Sequence, residues 1–189
     1  MGTMNKDELR REALRRRDAI PPEERVVRSA AICSAVVDDE SFLSARAVHV
    51  YLPFGTEVDI RPLIDVAWGM GKEVGLMRVM EDGGIAHHEI DSGTSYRKGS
   101  LGIMEPIEAE PFDLDRCDLV IVPIVAADEE GNRLGYGKGY YDQFLAQHPR
   151  PAIGVCFDEQ IFDHIPSDEG DIVLDAIYTD RRVIVPEED

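Results

Sequence analysis

Residues 118–142 read DLVIVPIVAADEEGNRLGYGKGYYD. The run from Asp118 to Val125 is almost continuously apolar and is bounded by Asp118 and Asp128, the pattern of a strand buried on both faces. A glycine-rich stretch follows over residues 131–139, with glycines at 131, 135, 137 and 139, and a short helix is expected from Tyr140. A doubly buried strand that feeds a glycine loop and then a helix belongs to a sheet covered by helices. In such a sheet the loop leaves the carboxyl end of its strand, where ligands usually sit.

The rest of the chain fits that frame. Upstream, residues 6–19 are strong helix formers without Gly or Pro, Pro21-Pro22 ends that helix, and 23–37 reads as a second one. Strands are expected at 47–52, 73–79 and 85–90, with a helix over 59–70. Residues 91–116 read as loop-rich. Residues 152–157 form another buried strand, and 176–179 with 183–185 add edge strands. The fold class is therefore α/β: a single-domain layered fold over residues 1–189 with a mainly parallel, mixed sheet flanked by helices.

The chain has 189 residues, 38 acidic against 20 basic side chains, and a net charge of −18. A nucleic-acid binder needs a basic face, so nucleic acid is not an expected partner, and an anionic membrane surface is disfavoured by the same repulsion. The charge is uneven. Residues 1–30 carry eight basic and six acidic groups, so the acid excess lies beyond them. With only four lysines among its bases, the chain suits a high-salt cytoplasm, although a coding bias toward arginine explains the low lysine count equally well. Cys33, Cys117 and Cys156 are odd in number and widely spaced, which speaks against a disulfide framework or a structural zinc. The basic start lacks an apolar segment of the signal-peptide kind, and a cytoplasmic monomer is expected.

Several residues could carry chemistry on spacing alone. In the glycine loop, successive backbone N–H groups can face one anion, aided by the helix start at Tyr140. Arg133 and Lys138 offer charge for phosphate oxygens, and Asp142, one turn into the helix, could hold magnesium. The stretch is neither a Walker A loop, since Gly139 follows the lysine, nor a G-x-G-x-x-G loop, since Tyr140 takes the third glycine's place. Taken alone it is as readily a surface turn before a helix. Lys6 and Arg10 share one helix face, which Arg17 extends, and by spacing alone that face is a solvated one.

The run RLGYGKGYYDQFL, preceded by DLVIVPIVAADEEGN, resembles the signature of the 5-formyltetrahydrofolate cyclo-ligase family. Other segments agree in order: Lys6, Leu9, Arg10 and Arg17 near the start, Tyr51-Leu52 with Glu57-Val58-Asp59, Gly102 to Pro106, and Asp171 to Thr179. Leu101 stands where the family often has an aromatic, and Gly170 where many members have His.

The resemblance implies that 5-formyltetrahydrofolate and ATP, both small molecules, are the substrates, with magnesium as cofactor. It places ATP at Lys6, Arg10 and the loop Arg133, Leu134, Gly135, Tyr136, Gly137, Lys138, Gly139, Tyr140 and Tyr141. Folate would meet Leu52, Glu57 and Tyr136, Gly137, Lys138, Gly139 and Tyr140, with Lys138 and Tyr140 as catalytic residues and Asp142 and Asp171 as metal ligands. Two other classes remain at this point. A binding protein could keep the loop without turnover, and a sugar-phosphate isomerase could use a related fold without ATP.

Overall fold

Asn5 starts the first helix. Its side chain accepts from the N–H groups of Asp7 and Glu8 at 3.0 Å each, while Glu8 accepts from Asn5 N–H at 2.9 Å. In the computed structural model, which describes residues 4–80, 82–99 and 102–187, this helix is α1 (Lys6–Asp18). Pro22 then opens α2 (Pro22–Val37), because proline in a first turn gives up only an N–H that the helix could not use. Asp39 caps α3 (Glu40–Ser44), an element too short for its periodicity to show in the sequence.

The strands β1 (Ala47–Val50), β2 (Glu73–Val79) and β3 (Ile85–Ile90) lie within the expected segments. The helix between β1 and β2, α4 (Arg61–Gly69), starts two residues later than expected, since the Asp59 side chain stands ahead of it and accepts from Arg61 N–H at 3.1 Å. Within the stretch read as loop, β4 (Tyr96–Lys98) and β5 (Met104–Pro106) pair as a small antiparallel ribbon. The deciding run forms β6 (Leu119–Pro123). It leads through the short pair β7 (Ala126–Ala127) and β8 (Arg133–Leu134) into α5 (Tyr140–Gln147). The chain closes with β9 (Ala152–Val155), β10 (Ala176–Tyr178) and β11 (Val183–Ile184).

The main sheet has the order β11-β10-β9-β6-β1-β2-β3. Its five inner strands are parallel, and β3 and β11 run antiparallel at the two edges. Along β6, Leu119 and Ile121 belong to the core under α2 and α4, whereas Val120 and Val122 belong to the core under α5. Every one of these four side chains is fully buried, which is why the strand reads as unbroken apolar sequence. Among the described residues, no helix is long and apolar enough to cross a membrane.

Candidate functional site

Beyond the carboxyl end of β6 the chain needs partners for its carbonyls, and the buried Gln160 supplies them. Its amide donates to Ile124 O at 2.8 Å and to Val125 O at 2.9 Å. Asp128, fully buried, braces the turn before the glycine loop by accepting from the N–H groups of Glu130, Asn132 and Ile165 and from the Asn132 amide. His164 and Glu130 lie near the same carboxylate. With four donors already on it, that carboxylate serves as a structural brace.

On this support, Gly135 to Gly139 stand exposed between β8 and α5. Gly139 caps α5 with φ +68°, a left-handed conformation that costs a side-chain-bearing residue strain. The free N–H groups of the α5 first turn and the helix dipole face this loop, a suitable place for an anion. Lys138 is exposed, with no ion pair or hydrogen bond among the described residues.

Helix α1 lies along the loop. Arg10 Nε donates to Gly135 O at 3.0 Å, and its guanidinium carbon lies 3.4 Å from where a Cβ on Gly137 would sit. Lys6, one turn earlier, reaches the segment before β10, with Nζ 2.7 Å from Asp168 Oδ2 and 2.6 Å from Asp171 Oδ2. Burial pushes the Asp171 carboxyl up, but the Lys6 ammonium and the Asp168 N–H outweigh it and hold the group below the usual carboxylate range. Asp142 joins the same segment, since its Oδ1 accepts from Ile172 N–H at 3.1 Å. Lys6, Arg10, Asp142 and Asp171, distant in sequence, are thereby brought together around the loop.

A cleft of about 490 Å3 opens beside α2, lined by Arg25, Ser29, Leu52, Glu57, Tyr96 and Met104 among others. Glu57 Oε2 accepts from Phe54 N–H at 2.8 Å. Burial raises the Glu57 carboxyl above its ordinary value, against the opposing pull of Phe54 N–H, Arg17 and the Tyr136 hydroxyl. Arg17 spans from α1 to both halves of the site, with Nε donating to Thr56 Oγ1 and Nη2 to the Tyr136 hydroxyl, each at 3.0 Å.

Three expected loop residues have other positions. Arg133, expected at phosphate, is turned inward with its side chain 5% exposed, donating to Asp142 Oδ1 at 2.8 Å and to Ile172 O. The β7–β8 pairing buries it, so its charge steadies the Asp142 carboxylate instead. The Leu134 side chain packs into a core with Leu9, Ala13 and Ile165, so only its backbone is left to face a ligand. Tyr141 packs against the core under α5, and burial holds its hydroxyl well above the usual range.

Asp168, Tyr96 and Met104 were not anticipated. The first is one acid among many, and the other two lie on a ribbon whose strands are too short to read. Leu101, noted as standing where the family often has an aromatic, lies outside the described residues.

The model of the 5-formyltetrahydrofolate cyclo-ligase family matches residues 2–180. The 5-formyltetrahydrofolate cyclo-ligase of Escherichia coli is 32% identical over 175 residues, covering 89% of this chain and 96% of that protein. A probable 5-formyltetrahydrofolate cyclo-ligase of Schizosaccharomyces pombe is 34% identical over 174 residues, covering 82% and 85%. Among solved structures, the 5,10-methenyltetrahydrofolate synthetase of Aquifex aeolicus superposes with a TM-score of 0.86 at 34% identity, covering 98% of this chain and 95% of that one. On sequence and on fold alike, the chain belongs to the 5-formyltetrahydrofolate cyclo-ligase family.

Proposed function

We propose that this protein uses ATP, with magnesium, to convert 5-formyltetrahydrofolate to 5,10-methenyltetrahydrofolate, ADP and phosphate. The observation that carries this reading is the convergence of Lys6, Arg10, the exposed loop with Lys138, and Asp142 with Asp171, next to the cleft that holds Leu52 and Glu57. A nucleotide triphosphate suits the first group, with its cations, free N–H groups and hard oxygen donors. A flat heterocycle bearing N–H donors suits the second, where Glu57 can accept. The site this reading needs is complete within one chain, so a monomer acting as one domain would suffice for it.

In this reading the formyl oxygen attacks the γ-phosphorus and ADP leaves. The phosphorylated formyl carbon is then open to attack by N10, which closes the ring as phosphate departs. No covalent enzyme nucleophile is needed, so catalysis rests on positioning and charge. Lys138, unpaired and exposed, is the residue free to follow charge onto the transferring phosphoryl group, and the α5 N-terminus with Tyr140 borders the same space. Glu57 and Leu52 orient the ring system, and Arg10 fixes the loop through Gly135 O.

The carboxylates of Asp142 and Asp171 fit magnesium. Both sit on adjoining segments, and Oδ2 of Asp142 and Oδ1 of Asp171 meet no hydrogen-bond donor among the described residues. When bound, such an ion neutralises phosphate charge.

The test mixes purified protein with 5-formyltetrahydrofolate and Mg·ATP at low and high potassium chloride, and follows absorbance of the conjugated methenyl product. ATP-dependent product that is lost in Lys138→Ala supports the reading. No product at either salt, with ATP still bound, overturns it in favour of a binding protein.

A further inference from the structure

We propose that Arg17 is a positioning residue for the folate half of this reaction, holding Tyr136 and the Thr56–Glu57 segment in the arrangement that receives the heterocycle. The inference rests on the cyclo-ligase reading and assigns Arg17 a part in it. Arg17 comes from the last turn of α1 and is 3% exposed. Two of its nitrogens are spent on hydroxyls, Nε on Thr56 and Nη2 on Tyr136. Thr56 is held from the other side as well, donating to Asp18 Oδ1 at 2.5 Å. Tyr136 accepts from Arg17 and so has its hydroxyl oriented by the guanidinium, and the Arg17 cation and this hydroxyl both pull the neighbouring Glu57 carboxyl downward against its burial. A relay thus runs from Thr56 through the guanidinium to Tyr136, tying the glycine loop to the edge of the cleft beside Glu57.

Stability does not explain this arrangement. Arg17 has no carboxylate within ion-pair distance among the described residues, and its Nη1 is buried without a partner. Arginines that serve the fold here end differently. Arg28 binds the carboxylates of Glu159 and Asp180, and Arg150 places its donors on the carbonyls of Leu114, Cys117 and Pro149. A buried cation without a counter-ion costs free energy that an apolar side chain would not. What Arg17 supplies is orientation of the Tyr136 hydroxyl and a positive field at Glu57, which faces Phe54 N–H and the Tyr51, Tyr136 and Tyr141 hydroxyls besides.

The experiment compares wild type, Arg17→Met, Tyr136→Phe and the double variant of the full chain in steady-state kinetics. Each single change is expected to raise KM for 5-formyltetrahydrofolate about tenfold, the worth of one good hydrogen bond, with a smaller effect on KM for ATP. The double variant is expected to be no worse than Arg17→Met, because both act through one relay. Arg17→Met is expected to keep or raise Tm. It should also move the acid limb of kcat/KM for folate to higher pH, as Glu57 loses a nearby cation.

Additive effects, or an unchanged folate KM and acid limb with a lowered Tm, would reduce Arg17 to a structural brace and overturn the proposal. Should Arg17→Met fail to fold, Tyr136→Phe decides: an unchanged folate KM rejects the relay. Wild type without turnover rejects the cyclo-ligase reading and this inference with it, whereas active wild type with additive variants rejects the inference alone.

Discussion

The guanidinium of Arg133 holds the carboxylate of Asp142 from inside the fold, with Nη2 2.8 Å from an oxygen that also accepts from Ile172 N–H at 3.1 Å. Three segments meet at that oxygen: β8, α5 and the approach to β10. The pair therefore fixes where a carboxylate can point toward a cation, and sets the distance between the glycine loop and the segment of Asp171.

Removing one member of a buried pair strands the other. Arg133→Met should cost about 3 kcal/mol in urea unfolding at neutral pH, toward the lower end for a broken buried pair because Asp142 is partly solvated. The same variant should need more magnesium for half-maximal turnover, since Asp142 is no longer held. A stability unchanged from wild type would remove Arg133 from this role.

Gly137 and Gly139 both have positive φ, +88° and +68°, but their surroundings differ. An added Cβ at Gly139 meets nothing within 4 Å, whereas at Gly137 it meets the Arg10 guanidinium at 3.4 Å. Gly139→Ala should therefore cost only the backbone term, about 1–2 kcal/mol. Gly137→Ala should in addition bring a methyl into van der Waals contact with the Arg10 guanidinium, restricting how it can adjust to a nucleotide, and raise KM for ATP more than Gly139→Ala does. Nucleotide titrations of the two variants decide this, and equal affinities would argue against Arg10 as part of the nucleotide site.

Lys6 binds two carboxylates of unequal standing. Asp168 is 77% exposed on its side chain, and Asp171 is 32% exposed and also takes the Asp168 N–H. Asp168→Asn should change stability by less than about 0.5 kcal/mol, as exposed pairs do, and leave KM for ATP near the wild-type value. Lys6→Ala should raise that KM about tenfold. The order of the two effects, read by the absorbance of the methenyl product, tests whether Lys6 serves the nucleotide or merely ties α1 to the sheet.

The parallel core was legible because a strand buried on both faces has to be apolar at every position, as β6 is from Leu119 to Val122. The limits of β2 and β3 were legible from the turn between them. The ribbons β4–β5 and β7–β8 were not, since pairs two or three residues long take their place from tertiary contacts rather than from periodicity. The same cause hid the inward turn of the Arg133 side chain. A cation beside glycines looks alike in sequence whether it faces outward or inward, and the β7–β8 pairing turned it inward. Asp142 stood out by its place one turn into the helix after the loop, whereas the Lys6–Arg10 face reads as solvated by spacing alone and Asp171 as one acid among 38, and both entered only through the family resemblance.

His49 and His87 give the last prediction. His49 is fully buried, and its Nε2 lies 3.0 Å from His87 Nδ1, with the rings of Phe112 and Phe144 around them. Burial, reinforced by the neighbouring imidazole, holds His49 well below 6.5. Burial with the nearby His148 and His88 pushes His87 down to about 4. Both folded values lie below the unfolded one, so the unfolded chain binds more protons in between. The stability these groups contribute is full above about 6.5 and is lost as pH falls toward about 4. Carboxylates held low, such as Asp180 and Asp39, begin to lose theirs only below about pH 5, as the unfolded carboxylates start to protonate. Unfolding free energies measured from pH 8 to pH 5 should thus fall across this range with a slope approaching about two protons. His49→Leu, which fills the same apolar space without an ionisable group, should reduce that slope by about one proton while holding stability at pH 7. A slope identical in wild type and His49→Leu would mean that the buried imidazole does not set the acid sensitivity of the fold.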